Sequence, residues 1–150
     1  MDFYSTAAWR WCAKYVLLFY ADNNGNVSCS TSGRIYQVTD RNMQCGHFIK
    51  VKDGSSTNYS TALDFENLAP QCYQDNRYYA GKPDVMRKWL VEKHGEDAVR
   101  NLEIKKFNIC KLDDLILSEF AKIYKAKFKE LLVSRNIKNP WVKSDTHRTI

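Results

Sequence analysis

The sequence predicts an α+β fold, with a leading helix, a β-rich centre and a helical second half. Three observations carry this. Over residues 5–21, Ala8, Trp11, Cys12, Tyr15, Leu18 and Phe19 recur at spacings of three and four, one apolar stripe of a helix. From 27 to 49 the texture changes to short β-like pieces, broken at Ser32-Gly33 and Asp40-Arg41-Asn42. After Pro70 the helical period returns and persists. At 150 residues, 44% hydrophobic and 27% charged, the composition excludes a disordered chain and allows one domain with a real core.

The elements follow in order. "ADNNGN" (21–26) stops the first helix with turn formers. "RIYQV" (34–38) and "MQCGHFI" (43–49) are the expected strands, and "KDGSSTNYS" (52–60) is an expected polar loop. Pro83 suits the first turn of a helix whose inner face carries Val85, Met86, Trp89 and Leu90, with His94-Gly95 as its stop. A short helix is expected over 96–106. A longer one is expected over 112–134, with Leu117, Phe120, Tyr124, Phe128 and Leu131 inward and Lys122, Lys125 and Lys129 opposite. Those lysines read either as a solvated face or as contacts to a nucleic-acid backbone. Residues 136–150 show no periodicity and are expected to form a flexible basic tail.

A formal net charge of +6 points to a polyanionic partner, nucleic acid before membrane. The longest apolar run, around Val16 to Ala21, is far too short to span a bilayer. The opening residues lack a basic start followed by an apolar core. With five cysteines (Cys12, Cys29, Cys45, Cys72 and Cys110) at irregular spacing, a reducing cytoplasm is expected rather than a disulfide framework.

The unusual polar chemistry falls in the centre: "CSTSG" (29–33), "QCGHFI" (44–49) and "ENLAPQCYQDN" (66–76). Singly, each has a plain structural reading. His47 alone reads as a hydrogen-bonded structural residue, Cys29 and Cys72 as small buried hydrophobes, and Asn67 and Asn76 as caps or turn residues. Their order is more specific. Cys-x-x-Ser, then Gly-His-Phe-Ile, then Asn, then Gln-Cys-x-x-Asp-Asn, with Ser32 and Asp75 where a Cys would complete each pair, resembles the His-Asn-His nucleases, and more narrowly the phage NinG/Rap recombination endonucleases. "STAAWRWCAKYVLLFYADNNGNVSC", "WLVEKHG" and "YKAKFKELL" extend the resemblance over roughly residues 5–133.

The resemblance implies a single nuclease domain over 1–135, its ββα-metal (HNH) core at about 27–80 and helices on either side. It implies an endonuclease acting on branched or single-strand-containing DNA, encoded by a phage or prophage and working in the host cytoplasm. Phosphodiester hydrolysis needs a base for water and a cation for the developing charge. By the resemblance His47 is the general base and, with Asn76, one of the two metal-site residues. Asn76 supplies an oxygen to one Mg²⁺ or Mn²⁺, and Asn67 completes the catalytic set by tying down the loop that orients the His47 strand. Many nucleases of the wider class carry Asp or His just before the base. Here Gly46 stands there, so a carboxylate is expected from Asp40, Asp64 or Asp75.

The family's paired CxxC motifs, which would hold a structural Zn²⁺, match Cys29, Ser32, Cys72 and Asp75 here. One thiolate is missing from each pair, so retained zinc is not expected, and a hydrogen-bonded turn is. Cys45 is a candidate substitute ligand. DNA contacts are expected from Lys50, Lys52, Arg77, Lys122, Lys125 and Lys129. Trp141 is a candidate for stacking on a base, or else a tail anchor. Paired nicking of a junction admits a homodimer. The rival reading is a cleavage-inactive DNA-binding or structural phage protein on the same fold.

Overall fold

The computed structural model describes residues 1–142 and is α+β. Helix α1 (Ala7–Tyr20) starts at Thr6, whose hydroxyl accepts the Trp9 N–H at 3.2 Å. Its buried side carries Ala8, Trp9, Cys12, Val16, Leu17 and Leu18, while Trp11 and Tyr15 are half-buried and Phe19 is exposed. The stripe read from spacing is thus rotated toward Trp9 and Val16, because α1 packs on a sheet as well as on a helix.

Helix α5 (Asp114–Arg135) lies along α1 and ends by capping it. The Arg135 guanidinium donates to the Phe19 and Ala21 carbonyls at the end of α1 and to the Leu18 carbonyl, which also accepts the Ala21 N–H. Leu117, Tyr124 and Phe128 are buried from α5, and the Tyr124 hydroxyl donates to the Leu63 carbonyl. The first part of the expected tail is not free. Trp141 packs on Phe128, ring centroids 5.8 Å apart, and Lys14 Nζ sits over the Trp141 ring, 5.6 Å from its centre. Trp141 is therefore an anchor; residues 143–150 of that tail lie outside the described residues.

Three two-stranded antiparallel ladders make the β content: β1 (Asn26–Ser28) with β2 (Ile35–Gln37), β3 (Met43–His47) with β6 (Leu68–Cys72), and β4 (Lys52–Asp53) with β5 (Ser56–Thr57). Two of these elements depart from the sequence reading. The polar loop at 52–60 contains the small β4–β5 hairpin, turned at Gly54 with a positive φ of 60°. Residues 68–72, read as the approach to helical structure, are strand β6, paired so that His47 lies opposite Leu68 and Cys45 opposite Pro70. Pro70 lacks an N–H, but β6 has a ladder on one side only; its carbonyl accepts from the Ser30 N–H at 2.7 Å.

Strand β6 runs directly into the short helix α2 (Tyr73–Tyr78), followed by α3 (Pro83–His94) and α4 (Glu96–Lys105). Ala69, Met86, Leu90 and Val99 form a small core of their own under β6, apart from the main core between α1, β3 and α5. Arg87 holds α3 against α4 through Glu96 and Glu103, each at 2.7 Å. Among the described residues no helix is long and apolar enough to cross a membrane.

Candidate functional site

The β3–β6 ladder and α2 bring His47 and Asn76 to one cavity of about 250 Å³, lined also by Tyr4, Cys45, Gly46, Lys50 and Lys52. His47 is the last residue of β3, Asn76 lies one turn into α2, and the lysines follow His47 on the chain turning into β4. Two of the expected DNA contacts, Lys50 and Lys52, therefore reach the site. Arg77 is exposed on α2, next to Asn76. The α5 lysines do not line this cavity. All three are exposed, Lys122 pairing with Glu119 at 3.3 Å and Lys125 Nζ sitting 5.6 Å from the Trp11 ring centre.

His47 is held on three sides. Its ring stacks on Trp9 with centroids 4.7 Å apart and planes at 22°, and Phe3 and Tyr4 stand 6.1 Å away. Its Nε2 lies 2.9 Å from the Ala62 carbonyl oxygen. A carbonyl only accepts, so Nε2 carries the proton and Nδ1 keeps the lone pair. Burial pushes the imidazole down to about 4, with the Ala62 hydrogen bond opposing, so the ring is neutral at pH 7.

That shift ties folding to pH. Unfolded His47 takes up a proton near its ordinary value of 6.5, whereas folded His47 resists until about 4. Between those values the unfolded chain binds more protons, so stability rises with pH. Burial lowers His94 as well, with the same sign. The protein is expected to be about 2 kcal/mol less stable at pH 5 than at pH 7. Urea unfolding at both pH values measures this, and His47→Gln should remove most of the difference.

Asn67 fixes the acceptor that fixes His47. Its fully buried side chain accepts from the Ile49 N–H (2.7 Å) and donates to the Ile49 and Thr61 carbonyls (3.0 Å each). It thereby staples the two ends of the 50–60 segment, and Thr61 immediately precedes Ala62. The sequence leads one to expect Asn67 to tie down this loop, and its three bonds join the loop's two ends. Asn76 donates from Nδ2 to Gln44 Oε1 at 2.8 Å, which leaves its side-chain oxygen as the atom available to the cavity.

None of the three candidate carboxylates lines the cavity. Asp40 accepts the Asn42 N–H in its own turn, Asp64 pairs with Lys105 at 2.7 Å, and Asp75 belongs to another cluster. Nor is there room before His47. A Cβ on Gly46 would lie 2.5 Å from Gln71 Oε1 and 3.2 Å from both Gln71 Cβ and Met86 Cε. Gln71 is fully buried and its amide donates to the Gly81 carbonyl at 2.7 Å, so it cannot swing away without losing that bond. Gly46→Ala is expected to cost about 1–3 kcal/mol, read as a lower denaturation midpoint.

The other sequence positions also converge. Ligand atoms of Cys29, Cys72 and Asp75 lie within 4.8 Å of one another, and Ser32 Oγ is 3.9 Å from Cys72 Sγ. The cluster is internally bonded: the Cys72 N–H donates to Cys29 Sγ (3.1 Å), the Thr31 hydroxyl to Asp75 (2.7 Å), and Lys82 pairs with Asp75 (3.2 Å). Burial pushes the Cys29 thiol up, but hydrogen bonds from Ser32, Thr31 and the Cys72 amide outweigh it and bring it down to about 7. Burial raises Cys72. Asp75 is held below its ordinary value, burial opposing, by Thr31 and Lys82. Cys45 does not join this cluster. It is buried beside the His47 cavity, and desolvation and the nearby Cys12 keep it a neutral thiol.

Sequence reading missed Tyr4, Trp9 and Ala62. The aromatic run near the start was a visible signal for the first two. Ala62 acts only through its backbone, which leaves no mark on residue type. Comparisons with protein-family models, curated proteins and solved structures find no match.

Proposed function

We propose that this protein is a divalent-metal-dependent endonuclease of NinG/Rap type, with a ββα-metal site formed by β3, β6 and α2. It would cut branched or single-strand-containing DNA. The observation that carries the reading is the convergence of His47, held as a neutral base, with Asn76, Lys50 and Lys52 on one cavity. In this reading the two ammonium groups bind the phosphate backbone, and water is deprotonated at His47 Nδ1. Trp9 and Ala62 hold the ring so that Nδ1 keeps one direction. With Nε2 occupied, His47 serves as base rather than ligand, since a single free nitrogen does not do both.

Asn76 Oδ1 suits a hard ion that takes most of its ligands from water and phosphate, as Mg²⁺ and Mn²⁺ do. When bound, such an ion supplies charge stabilisation at the phosphoryl and leaving oxygens. The test is incubation of the protein with a synthetic four-way junction, a flap and a linear duplex, with Mg²⁺, with Mn²⁺ and with a chelator. Absence of nicking under every divalent condition overturns the reading.

A second reading is a binding protein that does not cleave. It is favoured by one observation: among the described residues, the lining of the His47 cavity contains no carboxylate. It expects junction binding that falls steeply with salt, without nicking.

A further inference from the structure

A second cavity, of about 490 Å³, abuts the first, and Lys50 lines both. Its volume is in the range that holds a small organic group. Its walls include Phe48, Phe107 and Lys106, together with Asp53, Ser56 and Asn58 from the β4–β5 side. Phe107 is 78% exposed at the end of α4, and its N–H is tied to the Ile104 carbonyl, so the ring stands on a fixed backbone. Lys106 Nζ lies over the ring, 5.0 Å from its centre, which places a cation on one face of the aromatic and leaves stacking to the other. The Glu103 carboxylate in the same wall is engaged by Arg87, so the charges left to the cleft are the Lys50 and Lys106 ammonium groups and one carboxylate, Asp53.

Ala80, in the turn before α3, also lines the second cavity. Ala80, Gly81 and Lys82 take φ of 52°, 78° and 43°, three successive left-handed residues between α2 and α3. Non-glycine residues keep that conformation only where their surroundings impose it. A Cβ on Gly81 would sit 3.7 Å from Lys50 Cε, so the Lys50 stem lies against this turn, at the junction of the two cavities. An aromatic ring, polar groups in the same lining, and a lysine shared with the His47 cavity match a nucleobase joined through a phosphate.

We propose that the second cavity receives one unpaired nucleobase adjacent to the phosphate bound at His47, stacked on Phe107, with Lys50 on the connecting backbone. The stack selects unpaired DNA because a paired base is not free to enter. This rests on the nucleic-acid part of the reading above.

The experiment measures binding of labelled oligothymidylate, and of a duplex of equal length, to the full chain carrying His47→Ala, without divalent ions. Added variants are Phe107→Ala, Phe107→Leu and Phe107→Trp. Phe107 is exposed, so these should fold, and circular dichroism checks it. Phe107→Ala and Phe107→Leu are expected to weaken single-strand binding about 10-fold and duplex binding little, while Phe107→Trp preserves both. Equal affinity of Phe107→Ala and its parent for oligothymidylate overturns the proposal. So does equal weakening of both ligands, or a change confined to oligomeric state. Selective weakening alongside a wild type that never nicks DNA would leave the base pocket standing and remove the nuclease. Nicking with unchanged oligothymidylate affinity would remove the pocket alone.

Discussion

His47→Ala is expected to reduce nicking of a four-way junction by about 10²–10⁴-fold, the usual contribution of a positioned general base, while leaving DNA binding nearly intact. Binding should survive because Lys50 and Lys52 are contributed by the chain after β3, not by the imidazole. Alanine also empties space beside Trp9 and strands the Ala62 carbonyl, so a loss could reflect distortion. His47→Gln addresses this, since its amide can still donate to a carbonyl but offers no basic nitrogen. Both variants should lose cleavage, and the glutamine variant should keep more of the folding stability. Equal cutting by wild type and His47→Ala would sink His47 as the base.

The second large effect is expected at Asn67, on stability first and on activity through it. Asn67→Ala strands a buried N–H and two carbonyls, of Ile49 and Thr61, and is expected to cost about 3–5 kcal/mol. Asn67→Asp should be at least as harmful, because an ionised carboxylate can accept from Ile49 but cannot donate to either carbonyl. Chemical denaturation gives the free energies. If Asn67→Ala changed stability by less than about 1 kcal/mol, the staple would not hold the segment as described. Loosening it also frees Ala62, so the imidazole loses the acceptor that sets its tautomer. A variant still folded at low temperature should therefore show weakened cleavage with less change in binding.

Much of the framework was legible in residue order. The α3 start at Pro83, its stop at His94-Gly95 and the inward face of α5 follow from local stereochemistry and a 3.6-residue period, which neighbours rarely override when the element is long. Strand β6 was not legible. Five residues containing a proline carry no alternation when both faces are buried, and only pairing with β3 makes them a strand. The rotation of the α1 stripe has a similar origin, since two different partners divide its surface.

The site divides along the same line. The sequence by itself determined which groups were available: one central histidine, two asparagines, Cys29 and Cys72, and nearby lysines. Its reading set Cys29, Ser32, Cys72 and Asp75 side by side, and these do meet in space. Only the tertiary structure decided which nitrogen of His47 is free, that Gln71 fills the space before it, and that Asp40, Asp64 and Asp75 are committed elsewhere. Tautomer, steric room and ion pairing depend on atoms brought together from distant positions, often backbone atoms such as the Ala62 carbonyl. Residue types record what chemistry a chain can offer; the fold's geometry decides which of those groups are left free to perform it.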